Sequence, residues 1–96
     1  MRDLVQRDTS GTVRLRHEPF ALMTRVLGCE NDTQRAALIG VRPRTIRRAK
    51  DGILGEVFMA RTIIALRRHS AALAECGLTP TLDALFEVVD GHQVAV

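Results

Sequence analysis

Residues 31–52 read NDTQRAALIGVRPRTIRRAKDG. The stretch predicts two short helices joined by a tight turn, the second of them crowded with arginine. Its apolar residues are Ala36, Ala37, Leu38, Ile39, Val41, Ile46 and Ala49. Gly40 lies between the two halves, where a sharp turn needs a residue that tolerates φ > 0. Val41 follows at once and is placed to plug the angle between the helices. Ala36, four residues before Gly40, is small enough for the second helix to cross closely over the first. Ile46, six residues after Gly40, points back to the same interior. Arg42, Arg44, Arg47 and Arg48 are then left to face outward. The plain alternative is an ordinary helical hairpin with a solvated basic face.

Charge along the chain is uneven. Residues 31–52 carry six basic side chains (Arg35, Arg42, Arg44, Arg47, Arg48, Lys50) against Asp32 and Asp51, a net +4. Residues 1–30 carry five basic and four acidic, a net +1, and residues 53–96 carry three and five, a net −2. A basic centre beside an acidic C-terminal part implies one surface for a polyanion and another for a different contact.

Ninety-six residues fit one domain, expected over residues 18–90, with an arm at 1–17 and a tail at 91–96. With 46% hydrophobic residues there is enough for one core, and with only Phe20, Phe58 and Phe86 as aromatics that core is expected to be aliphatic. No apolar run approaches the ~20 residues that span a membrane. The opening MRDLVQRDTSG is polar and carries acids, unlike a secretory signal. Cys29 and Cys76 stand far apart, lack metal-ligand spacing, and read as small apolar residues in a reducing cytoplasm.

The expected fold class is all-α, a compact five-helix domain. Pro19, Pro43 and Pro80 each mark a helix start. The helices are expected over 19–27, 33–39, 43–50, 55–76 and 80–89, with a break in the fourth near His69-Ser70. Asp32 or Thr33 is the expected cap of the second, and Thr79 of the fifth. The fourth helix has two apolar sides: Met59, Ile63, Leu66 and Leu73 on one, Val57, Ala60, Ile64 and Ala71 on the other. A helix apolar on two sides packs against two things. A homodimer through the fourth and fifth helices is therefore expected, with Leu66, Leu73, Leu82, Leu85 and Phe86 as contacts. Thr12–Arg16 alternate like a short strand, and Gln93–Val96 form a possible second one.

Catalysis is not expected. His17, His69 and His92 are dispersed without clustered carboxylates, and no phosphate-binding loop or nucleophile elbow occurs. No cofactor or metal is implied.

Ala36, Gly40, Val41, Ile46 and the RTIRR run resemble the helix-turn-helix of bacterial and phage repressors, most closely the Cro/Xre family. The resemblance covers about 20 of the 96 residues. It departs at Arg35, where such motifs usually carry an apolar residue, and at Pro43, where the family often carries a base-reading polar residue. The resemblance implies a cytoplasmic, sequence-specific regulator of transcription that binds double-stranded DNA, its recognition helix at 43–50. Arg42, Arg44, Arg47 and Arg48 become the candidate readers of guanine edges, with some of them on phosphates. Thr33 and Gln34 are placed for a phosphate at a helix start. Thr45 suits a phosphate or a thymine methyl, and Lys50 completes the DNA-binding set. The alternative is a helix-turn-helix antitoxin or adaptor that holds a partner protein through its C-terminal helices. RNA binding ranks last, because stacking aromatics are missing.

Overall fold

The computed structural model describes residues 11–90. Its elements run β1 (Gly11–Leu15), α1 (His17–Val26), α2 (Asp32–Ile39), α3 (Pro43–Lys50), α4 (Glu56–Arg67), α5 (Ser70–Ala74), α6 (Leu82–Leu85) and β2 (Phe86–Asp90). Its described residues are mostly helical with one short two-stranded sheet, so the predominantly helical expectation holds and the possible strand near Thr12–Arg16 forms, at Gly11–Leu15. No helix among the described residues is long and apolar enough to cross a membrane.

The middle of the chain folds as its local signals dictate. Helix α2 begins one residue early because Asn31 caps it, not Asp32 or Thr33. The Asn31 Oδ1 accepts a hydrogen bond from the Gln34 backbone N–H at 2.9 Å. Helix α2 ends at Gly40, whose φ of 87° lets both its own N–H and that of Val41 return to the Ala36 carbonyl, at 2.8 and 2.9 Å. Helix α3 starts at Pro43 and ends at Asp51-Gly52 as expected. Helix α1 starts earlier than Pro19 predicts, at His17, because the Arg16 carbonyl accepts from the Phe20 N–H and the Arg16 N–H donates to the Leu85 carbonyl. Proline still fits the first turn, whose N–H groups have no helical partner.

The expected fourth helix is two. Helix α4 closes with the His69 N–H on the Leu66 carbonyl at 3.0 Å, and α5 turns back onto α1, where Leu73 is fully buried. The exposed Arg67, Arg68 and His69 offer no apolar contact to hold the helix straight.

The expected fifth helix is mostly a strand. Thr81, not Thr79, caps the single turn α6, its Oγ1 accepting from the Ala84 N–H at 3.1 Å. The chain then becomes extended at Phe86 and pairs antiparallel with β1, from Leu15 opposite Phe86 to Gly11 opposite Asp90. The β-branched Val88 and Val89 suit this strand better than a helix. The partner of β1 is thus residues 86–90; the second strand expected at Gln93–Val96 lies outside the described residues. From Gly11 onward, the segment expected as an arm is part of the fold.

The core draws on α1, α2, α3, α4, α5, α6 and both strands. It is not purely aliphatic. Phe20, Phe58 and Phe86 are all buried, and Phe58 sits between the other two with ring centroids 6.4 Å from each. Leu66, Leu73, Leu85 and Phe86 belong to this core. That removes them as dimer contacts: each already fills the interior of its own chain. Of the five expected contacts only Leu82 is exposed.

Candidate nucleic-acid interface

Helix α3 carries its basic side chains on one face because its two apolar residues claim the other. Ile46 is 0% exposed and Ala49 1%. At 3.6 residues per turn, Arg44, Arg47 and Arg48 fall within an arc of about 100° opposite them. All three are exposed, as is Arg42 at the N-cap. Among the described residues none of the four arginines makes an ion pair. Thr45 is half-buried at the flank of this face.

The structure treats Lys50 differently. Its Nζ donates to both carboxylate oxygens of Asp32, at 2.8 and 3.0 Å. Lys50 therefore ties the end of α3 to the start of α2, so its ammonium is engaged within the fold rather than standing free on the outer face with the arginines. Arg35 completes the clamp. Its Nη1 donates to Asp32 at 2.9 Å and its Nε to the Thr24 hydroxyl of α1 at 2.8 Å. The Thr24 hydroxyl donates in turn to the Phe20 carbonyl. Arg35 thus stands at an inward-leaning position because α1 presents an acceptor there. Burial pushes the Asp32 carboxyl upward, but hydrogen bonds from Lys50 and then Arg35, together with their charges, outweigh burial and hold it below the ordinary carboxylate range.

The same end of α3 is tied a second time. The His17 Nε2 donates to the Lys50 carbonyl at 3.0 Å, joining the start of α1 to the last turn of α3. A carbonyl only accepts, so this contact fixes which ring nitrogen carries the hydrogen. His69 sits at the break between α4 and α5, and His92 lies outside the described residues.

Thr33 and Gln34 lie exposed in the first turn of α2. The Gln34 Oε1 accepts from the Glu30 N–H, which leaves its side-chain NH₂ as the free donor. The Thr33 hydroxyl and the early N–H groups of α2 stand beside it.

Arg61 was not among the residues expected at this site. It projects from α4, and its Nη1 donates to the Gly40 carbonyl in the turn at 2.6 Å. In sequence it is visible only as one member of a polar stripe with Arg68 and Glu75. Its guanidinium shares an open groove of about 440 Å³ with Arg42, Thr45 and Arg48. Arg61 and Arg68 also line the neighbouring groove beside Ile39, Gly40 and Ile64. Among the described residues no acid lines either groove.

Cys29 is buried and Cys76 exposed, and both are free thiols. Burial raises the Cys29 thiol above its ordinary range, a shift that the nearby Arg35 charge partly offsets. No protein-family model matches this chain, no curated protein matches it, and no solved structure matches its fold.

Proposed function

We propose that this protein is a sequence-specific, double-stranded-DNA-binding regulator of transcription, probing the major groove with α3. The observation that carries this reading is the set of exposed arginines at 44, 47 and 48, without an ion pair among the described residues, opposite buried Ile46 and Ala49. A groove-inserted helix needs such a forked, cationic outer face, and arginine matches the O6 and N7 of guanine. The start of α2, with Thr33 and the Gln34 amide, supports a phosphate contact beside it.

Titration of a labelled duplex against the protein, followed by fluorescence anisotropy at 50–200 mM salt, tests the reading. Log affinity is expected to fall linearly with log salt at ~0.9 per neutralised phosphate. A flat response refutes it. On the preferred site, Arg44→Ala or Arg47→Ala is expected to cost ~1–3 kcal/mol, and much less on random duplex.

The reading includes a two-fold homodimer that spaces two recognition helices roughly 34 Å apart over a near-palindromic site. Its contacts are Leu82 together with the outer stripe of α4 at Ala60 and Ile64, all exposed. The same exposed apolar residues favour the second reading, an adaptor or antitoxin that holds a partner protein there. Light scattering with and without DNA, together with selection of bound sites, tests the dimer: a dimer on DNA supports it, whereas a monomer on a site lacking an inverted repeat refutes it and favours a single-module binder.

A further inference from the structure

The groove between α3 and the start of α4 combines charge with apolar surface. Arg42, Thr45 and Arg48 from α3 and its cap and Arg61 from α4 supply its polar lining, and Val41, Ile53, Val57 and Phe58 its apolar part. Ile53 and Val57 are each 64% exposed, far more than an aliphatic side chain with a core to enter. Arg61 is anchored by its bond to the Gly40 carbonyl. That bond uses one of five guanidinium donors, so the rest remain for an outside acceptor. Whatever fits here carries negative charge directly beside apolar faces.

A sugar–phosphate strand has that alternation. Its phosphate oxygens match guanidinium forks, and the C–H faces of its deoxyribose rings match Ile53 and Val57. The geometry of α3 adds a second argument. An α-helix about 10–12 Å across nearly fills a major groove about 12 Å wide. Its flanks therefore lie against backbone, and only its leading edge meets bases. Arg42 and Arg48 are on the flank that lines the groove, whereas Arg44 and Arg47 do not line it. We propose that this groove seats the backbone of one DNA strand, with Arg42, Arg48 and Arg61 as phosphate ligands and Ile53 and Val57 as a shelf for deoxyribose. Base reading then falls to Arg44 and Arg47. The inference rests on the duplex-binding reading and divides its arginines into two sets.

The experiment compares wild type with Arg48→Gln, Arg61→Gln and Arg44→Gln. Affinities for a selected site and for random duplex are measured across 50–200 mM salt. Loss of one phosphate contact is expected to lower the salt slope by ~0.9, which at 0.1 M salt corresponds to about eightfold weaker binding. Arg48→Gln and Arg61→Gln are expected to do this equally on both duplexes, leaving their affinity ratio unchanged. Arg44→Gln is expected to collapse that ratio. Arg61 also holds the turn, so Arg61→Lys, which keeps the charge, is expected to recover most of the slope. Arg48 makes no such bond and reports on phosphate contact alone. If Arg48→Gln and Arg61→Gln keep the wild-type slope on a duplex that wild type binds, the groove serves another partner, an acidic protein segment included, and this inference alone falls. A changed affinity ratio in either variant also overturns it, since that marks base reading. If wild type binds no duplex at any salt, the functional reading falls with it.

Discussion

Asp32→Asn is the most informative single change outside the arginine face. Asp32 receives three charged hydrogen bonds, two from Lys50 and one from Arg35, and stands in the first turn of α2. Asparagine keeps the shape and one acceptor but removes the charge. The Lys50 side chain retains 36% of its exposure, so its pair is screened and contributes at most about 1 kcal/mol. The Arg35 side chain retains 13%, so its charged hydrogen bond is worth about 1 kcal/mol after discounting the i,i+3 geometry. The favourable placement at the helix N-terminus adds ~0.3–1 kcal/mol. The expected loss is roughly 2 kcal/mol, which for a domain of this size lowers the melting temperature by about 8–16 °C.

The pH profile separates this electrostatic origin from a packing effect. The folded-state pKa of Asp32 is depressed. Its contribution is therefore complete above the unfolded-state value of about 3.9 and is lost as pH falls through the lower folded-state value. Wild type and Asp32→Asn are expected to differ at neutral pH and to converge in strong acid, as followed by circular dichroism melting. Equal melting temperatures at pH 7, or a gap that survives undiminished in acid, would refute the clamp. Lys50→Met in the Asp32→Asn background is expected to cost less than Lys50→Met in wild type, because the pair is already broken.

Ile46→Ala empties a fully buried position where α3 meets the core; a loss of about 2–5 kcal/mol is expected in urea unfolding, and a loss under about 1 kcal/mol would mean that α3 is not seated as described. With a thiol-reactive chromophore on the native protein, Cys76 is expected to react at once and Cys29 only on unfolding, given their exposed and buried positions. Two thiols reacting at the same rate would contradict the packing of α1 against α2.

The sequence makes α2 and α3 legible because their boundaries are written locally. Asn31, Gly40, Pro43 and Asp51-Gly52 each act on residues within one turn of themselves. The C-terminal part is illegible for the opposite reason. Thr79-Pro80 is a genuine helix-start signal, but Phe86–Asp90 is claimed by Gly11–Leu15, about seventy residues earlier. No window of the sequence contains both partners. The two apolar sides of α4 were visible, but not which of them turns inward. The inward side carries Phe58, Thr62, Ile63, Ala65, Leu66 and, on α5, Leu73, while Val57, Ala60, Ile64 and Ala71 stay out. Burying the larger side chains removes more apolar surface from water. Leu66 and Leu73, two of the expected dimer contacts, lie on that inward side and belong to the core.

The same reasoning explains which charges of the site could be read in advance. Arg44, Arg47 and Arg48 follow from the helical period alone, once Ile46 and Ala49 are inside. Lys50 and Arg61 do not, since each is fixed by a partner in another element: Asp32 lies 18 residues from Lys50 and Gly40 lies 21 from Arg61. These two contacts also account for how the site is built. The chain spends Asp32 on the cations at the edge, Arg35 and Lys50, and on none of the four arginines that face out. Arg44 stands three residues from Arg47 and four from Arg48, so like charges repel along the helix by ~0.2–0.5 kcal/mol per pair. A surface selected only for solubility would intersperse acids there. Here the acid goes to hold α2 against α3, and among the described residues no acid pairs with the outward guanidiniums; the proposed function would relieve their repulsion with DNA phosphates.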